Sequence, residues 1–370
     1  MDPLVPPHIQ RLVPYTPGKP IEELERELGI RDAVKLASNE SPLGPSPAAV
    51  EAMRRAASGV HRYPDASGHR LREALAAHHG VTMDEVCLGN GSNEILQLLC
   101  WAFATSRDHA VTGDPSFVYY AIGLTLAAVP HTAVSLRGHL EWNVDDLLAA
   151  VRPETKLVFV ANPNNPTGTH IGEQDLRRLL RDLPRRVVAV IDEAYADFAD
   201  ADDYASALGM RELRERLVVL RTFSKAHGLA ALRVGYAVAP PAVVDYLNRV
   251  RAPFNVSTVA QEAALASLQD REHVARYVAM NRAERQRLAG ALAERGLRVV
   301  PSQANFVLAA AARPGHELYD ALLRRGVIVR AMPAPIDGWV RITVGRPEEN
   351  DRLLEALDAV LEPGAAREAG

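Results

Sequence analysis

Four lysines, Lys19, Lys35, Lys156 and Lys225, stand among 42 basic residues, so this chain uses arginine almost wherever positive charge alone is needed. Lys225 closes an apolar, β-branched run, Leu217-Val-Val-Leu-Arg-Thr-Phe-Ser-Lys225, and is followed by Gly228 and Arg233. Lysine is the basic side chain that can give up its proton, attack a carbonyl and hold it as a Schiff base, whereas arginine stays charged. Other polar groups occupy the same kind of position. Asn165 lies in Asn162-Pro-Asn-Asn-Pro-Thr-Gly168, just past the apolar run that starts at Lys156. Asp192 ends the run Val187-Val-Ala-Val-Ile-Asp192 and is followed by Glu193 and Tyr195.

The elements that position these groups follow from hydrophobic patterning. Between about 85 and 240, continuous apolar runs of strand length alternate with helical periodicity. That predicts an α/β fold with a mostly parallel, doubly wound sheet. Such sheets bind ligands outside the C-terminal ends of their strands, which is where Asn165, Asp192 and Lys225 fall. The run Val86-Cys-Leu-Gly-Asn-Gly-Ser-Asn-Glu-Ile95 reads as strand, glycine turn and helix start. Ile95, Leu98, Leu99, Ala102 and Phe103 then follow helical spacing. The N–H groups of such a helix start favour a phosphate. The turn lacks both a third glycine at dinucleotide spacing and a Gly-Lys-Ser/Thr, which excludes a Rossmann fingerprint and a P-loop.

Residues 1–45 are rich in proline and form an arm with one short helical stretch and a short strand at Val34-Lys-Leu-Ala37. A large domain over 46–250 and a smaller α+β domain over 251–370 are expected to follow. In the smaller domain Val327-Ile-Val-Arg330 is predicted as one strand and Trp339-Val-Arg-Ile-Thr-Val344 as another. Net charge is -4, with 48% hydrophobic and 24% charged residues, so there is no electrostatic case for nucleic acid or an acidic membrane. Cys87 and Cys100 make neither a disulfide framework nor a zinc site. No secretory signal or membrane-length apolar run is present, and a cytoplasmic enzyme without a metal is expected.

A lysine, a buried carboxylate, an aromatic ring and a phosphate cup together are what pyridoxal 5'-phosphate requires. The lysine bonds the aldehyde, and the carboxylate keeps the pyridine nitrogen protonated so that the ring can accept electrons. The sequence offers Lys225, Asp192 and Phe117, and a cup of Gly91, Ser92 and Asn93 with Ser224 and Arg233.

The motifs carrying these residues make the chain resemble the fold-type I aminotransferases, and within them the histidinol-phosphate aminotransferase family. They are Leu36-Ala-Ser-Asn-Glu-Ser-Pro-Leu-Gly-Pro-Ser-Pro47, Arg62-Tyr-Pro-Asp65, Gly89-Asn-Gly-Ser-Asn-Glu94, Asn162 to Gly168, Asp192-Glu-Ala-Tyr195 and Arg221-Thr-Phe-Ser-Lys225. Leu232-Arg-Val-Gly-Tyr236, Pro253-Phe-Asn-Val256, Ser302-Gln-Ala-Asn-Phe306, Arg341-Ile-Thr-Val-Gly345 and the N-terminal Tyr15-Thr-Pro-Gly-Lys-Pro20 complete them. The resemblance implies that Lys225 carries the cofactor and later acts as base, with Asp192 and Tyr195 as the other catalytic groups. Asp192 would pair with the pyridine N–H, Asn165 and Tyr195 would hold the 3-oxygen, and Phe117 would stack on the ring. Ser92, Asn93, Ser224 and Arg233 would hold the phosphate. Tyr63 would reach that phosphate from the other subunit of a homodimer.

For substrate, the resemblance points to Tyr15, Arg330 and Arg341, with Asn39, Glu40 and Asn165 lining the same mouth. Guanidinium groups suit both phosphate and carboxylate, so one pocket would take L-histidinol phosphate and then glutamate or 2-oxoglutarate. Two features depart from the family. Residues 331–340 read Ala-Met-Pro-Ala-Pro-Ile-Asp-Gly-Trp-Val in place of a glycine-rich loop with an aromatic. His227 replaces a Tyr or Phe, which would put a titratable ring near the cofactor. These leave three alternatives: an aminotransferase for an aromatic or other amino acid, a phosphothreonine-type decarboxylase, and a non-catalytic cofactor-binding protein.

Overall fold

The computed structural model describes residues 4–14 and 18–361. In chain order its strands are β1 (Val34–Lys35), β2 (Val86–Gly89), β3 (His109–Asp114), β4 (His131–Ser135), β5 (Thr155–Ala161), β6 (Val188–Asp192) and β7 (Leu217–Thr222). They continue with β8 (Gly235–Val238), β9 (Arg298–Val300), β10 (Phe306–Ala310), β11 (Val327–Ile328), β12 (Arg330–Ala331) and β13 (Val340–Thr343).

Seven of them form one sheet in the order β2-β8-β7-β6-β5-β3-β4. β8 runs antiparallel to both of its neighbours, and every other pairing in that sheet is parallel. Every residue of β6 is buried, as is nearly all of β5 and β7, because helices cover both faces of the centre. β4, at the edge, has no fully buried residue. Leu96, Leu99 and Leu247 pack on one face against Phe159 and Val190, while Leu176, Leu179 and Leu180 pack on the other against Val158 and Val160. Local chemistry sets several helix starts. Ser46 accepts from the Ala49 N–H at 3.1 Å, and Ser257 accepts from the Ala260 N–H at 3.2 Å.

A second, antiparallel sheet of order β12-β13-β10-β9 is covered by the helices Arg271–Glu294, Gly315–Leu323 and Pro347–Leu361. The predicted strand over 327–330 is two strands in two sheets. β11 pairs in parallel with β1, and β12 pairs with β13 so that Arg330 lies opposite Arg341. The β1 pairing carries the N-terminal arm onto the C-terminal part, where Leu36 joins the core of Leu292, Val307, Ile342 and Leu353.

Register places the polar loops together. Ala161 lies beside Asp192, and Asp192 beside Leu220. Gly235 lies beside both Thr222 and Gly89, so the ends of β2, β5, β6 and β7 open on one edge of the sheet.

Candidate active site

Lys225 lies three residues beyond the end of β7, and its Nζ donates to the carbonyl oxygens of Ser38 and Asn39 at 3.3 and 3.2 Å. The same Nζ is 5.7 Å from the Tyr195 ring centre. Burial, reinforced by Arg341 and Arg233 and opposed by Glu40, lowers its pKa from 10.5 to about 7. A fraction of this amine is therefore uncharged at neutral pH and able to act as nucleophile or base.

Asp192 ends β6 and is buried. Its Oδ2 accepts from the Tyr120 hydroxyl at 2.9 Å and its Oδ1 from the Ala194 N–H at 3.1 Å. Burial raises its pKa to about 6, and these two hydrogen bonds oppose the rise. Glu193 points into a separate cluster. It pairs with Arg221 at 2.8 Å and accepts from the Ser206 hydroxyl at 2.7 Å and the Ala207 N–H at 2.6 Å. Adjacent strand residues alternate faces, so one carboxylate remains for the site and the other anchors the loop beneath it.

The glycine turn and Arg233 form a cradle. Gly91 has φ +72°, and a Cβ there would meet Arg233 Nη2 at 2.4 Å. Arg233 Nη1 donates to Ser224 Oγ at 3.3 Å. Ser92 begins the helix Ser92–Phe103, with Asn93 second in its first turn. A Cβ on Gly235 would sit 2.6 Å from the Ser92 nitrogen, so the absent side chain lets that helix start rest on β8. Helix N–H groups, a hydroxyl and a guanidinium in one place suit a phosphate. The motif residue Glu94 accepts from the Asn90 N–H and from Asn255 Nδ2, both at 2.6 Å, fastening the turn to the segment at 253–256.

Phe117 meets Tyr120 edge-on at 5.5 Å, and Tyr120 stacks on Phe159 at 5.4 Å. Asn165 Oδ1 accepts from Arg341 Nη1 at 2.6 Å, while Arg341 Nη2 donates to the Ala37 carbonyl at 2.7 Å. Asn39 is buried and donates from Nδ2 to the Tyr195 hydroxyl at 3.0 Å. One amine, one carboxylate, a phosphate cradle and a guanidinium thus meet at the sheet edge. This donor set fits pyridoxal 5'-phosphate.

Two of the other expected residues are exposed. Tyr63 is 82% exposed and stacks on Phe254 at 4.7 Å. Glu40 is exposed and pairs with Lys35 at 3.1 Å. Tyr15 lies outside the described residues. His227 hydrogen-bonds through Nδ1 to Ser267 at 2.9 Å and packs on Phe223, and burial lowers its pKa to about 4, so it is neutral and structural. Sequence reasoning missed Tyr120, whose only local signal is the Tyr119-Tyr120 pair after Phe117. It also missed Thr343 and Asn305, which bind Asn39 through its N–H and carbonyl.

The sequence pattern of aminotransferase class I and II matches residues 31–357. The histidinol-phosphate aminotransferase of Anaeromyxobacter sp. (strain Fw109-5) is 47% identical, covering 97% of this chain and 99% of that protein. That of Akkermansia muciniphila is 46% identical over 96% of this chain and 98% of its own length. Among solved structures, the histidinol-phosphate aminotransferase from Sinorhizobium meliloti in complex with pyridoxal-5'-phosphate superposes with a TM-score of 0.88. It is 29% identical and covers 97% of each chain. With its lysine, carboxylate and anion cradle gathered at the sheet edge, the chain belongs to the class I and II aminotransferases, in the branch of the histidinol-phosphate aminotransferases.

Proposed function

We propose that this enzyme uses pyridoxal 5'-phosphate to move the amino group of L-histidinol phosphate to 2-oxoglutarate, giving imidazole acetol phosphate and L-glutamate. The observation that carries this reading is the convergence of Lys225, Asp192 and the Gly91–Arg233 cradle on one sheet edge beneath Arg341. The cofactor supplies an aldehyde that takes up the amino group and a protonated ring that accepts the electron pair left when the substrate C–H bond breaks.

The chain's residues do the rest. Asp192, held by Tyr120 and Ala194, stays ionised near neutral pH and would pair with the ring N–H. Ser92, Asn93, Ser224 and Arg233 would hold the cofactor's phosphate, Asn165 and Tyr195 its 3-oxygen, and Phe117 its ring. Lys225 would be the amine that holds the cofactor and would move a proton at Nζ, for which a pKa near 7 is suited. Arg341 and Arg330, facing each other across β12 and β13, bind the substrate phosphate or carboxylate with Tyr15, Asn39 and Glu40. The exposed Tyr63 serves the cradle of a second copy in a homodimer. Residues 46–250 and 251–370 form the two domains, with the arm over 1–45, and the enzyme works in the cytoplasm.

The test is a set of half-reactions followed by the bound cofactor's visible absorption, with L-histidinol phosphate, glutamate, phenylalanine and phosphothreonine as donors. Histidinol phosphate and glutamate are expected to react fastest. Faster reaction with phenylalanine would move the enzyme to the aromatic amino acids, and carbon dioxide release from phosphothreonine would move it to the decarboxylases. Borohydride reduction followed by peptide mass spectrometry is expected to place the cofactor on Lys225.

A further inference from the structure

Asn39 sits where three parts of the molecule meet. Its backbone φ is +53°, in the left-handed region that asparagine tolerates better than most residues, and it is 1% exposed. Three residues earlier, Leu36 lies in the core under the C-terminal sheet and its carbonyl accepts from the Thr343 N–H of β13 at 2.8 Å, so this sheet carries Asn39. Its contacts reach both sheets. The Asn39 N–H donates to Thr343 Oγ1 at 2.9 Å, and the Thr343 hydroxyl donates back to Asn39 Oδ1 at 3.2 Å. This closed loop fixes the amide and directs Nδ2 at the Tyr195 hydroxyl, 3.0 Å away. The Asn39 carbonyl accepts from Asn305 Nδ2 at 3.1 Å and from Lys225 Nζ at 3.2 Å.

A phenol oxygen that accepts an N–H has its own proton on the other side, and the accepted bond polarises the O–H into a stronger donor. We propose that Asn39 is a positioning residue that orients and strengthens the Tyr195 hydroxyl as a donor, coupling that hydroxyl and the Lys225 amine to the C-terminal sheet. This rests on the reading that Tyr195 donates to the cofactor's 3-oxygen. A displacement of the C-terminal sheet is then felt at two reacting groups at once, because one residue supplies the amide to Tyr195 and the carbonyl to Lys225.

The experiment titrates the visible absorption of the bound cofactor in the holoenzyme and three variants. Donation to the 3-oxygen favours its anionic form and holds the titration midpoint low. Asn39→Gly removes the amide and keeps the left-handed backbone. It is expected to raise the midpoint by about half to one pH unit, the equivalent of one hydrogen bond. Asn39→Asp, whose carboxylate accepts the phenol proton instead of donating to it, raises it at least as far. Tyr195→Phe raises it as well, and adding Asn39→Gly to Tyr195→Phe changes nothing more. Circular dichroism and cofactor content check that each variant is folded. An unmoved midpoint in Asn39→Gly, or a shift that adds in full on Tyr195→Phe, overturns the proposal. An unmoved midpoint in Tyr195→Phe alone overturns the reading beneath it as well.

Discussion

Replacing Lys225 by methionine should make the cofactor-free protein more stable, most at and below pH 7 and progressively less as the pH rises above it. The folded protein lowers this amine's pKa from 10.5 to about 7, so the folded state binds the proton less tightly than the unfolded chain. Below pH 7 both states are protonated and the full cost of burying the charge is present. That cost amounts to roughly 4 to 5 kcal/mol for a shift of about 3.5 units. As pH rises from 7 toward 10.5 the folded amine is neutral while the unfolded one still binds a proton, and the cost falls away. Methionine has similar length and no charge, but it leaves the Ser38 carbonyl without its donor and the Asn39 carbonyl with Asn305 alone, a loss of about 1 to 2 kcal/mol. The net expectation is a gain of about 2 to 4 kcal/mol near pH 6 that shrinks to near zero around pH 9. Urea unfolding of both cofactor-free proteins across this range measures it. A difference that does not change with pH, or a variant less stable near pH 6, would refute the account of Lys225 as a desolvated amine.

Three further outcomes follow from other contacts. Arg221→Ala leaves Glu193, whose side chain is fully buried, without its guanidinium and should cost about 3 to 5 kcal/mol. Pairing Arg221→Met with Glu193→Leu should recover much of that in denaturant melts. His227 has its pKa lowered by burial from 6.5 to about 4, so its contribution to stability is complete above pH 6.5 and is lost as pH falls toward 4. His227→Phe should flatten about 3 kcal/mol of the acid dependence measured by urea unfolding. Arg341→Gln should raise KM for phosphorylated and dicarboxylic substrates by about 10- to 100-fold in steady-state assays, the worth of charge-assisted hydrogen bonds, and unchanged kinetics would remove Arg341 from substrate binding.

The sequence determined what local pattern can determine. The buried runs at 156–161, 187–192 and 217–222 read as central strands because a strand covered on both faces must be apolar along its whole length. The polar residues that end them were therefore placed at a sheet edge before any pairing was known. The glycine turn before Ser92 was legible for a similar reason, since a helix start needs no distant partner. What only the tertiary structure decided involves contacts between residues far apart in sequence. Whether Val327 to Arg330 is one strand depends on β1, nearly 300 residues away, which takes Val327–Ile328 and leaves Arg330–Ala331 to face β13. Tyr120 becomes the partner of Asp192 across a separation of 72 residues, and Asn39 meets Tyr195 and Thr343 across 156 and 304. His227 follows Lys225 by two residues, yet its ring meets Ser267 rather than the site. A motif can name the group that reacts, because its chemistry belongs to one side chain. The groups that hold it, set its proton and bury its charge are chosen by packing, and packing is a property of the whole chain.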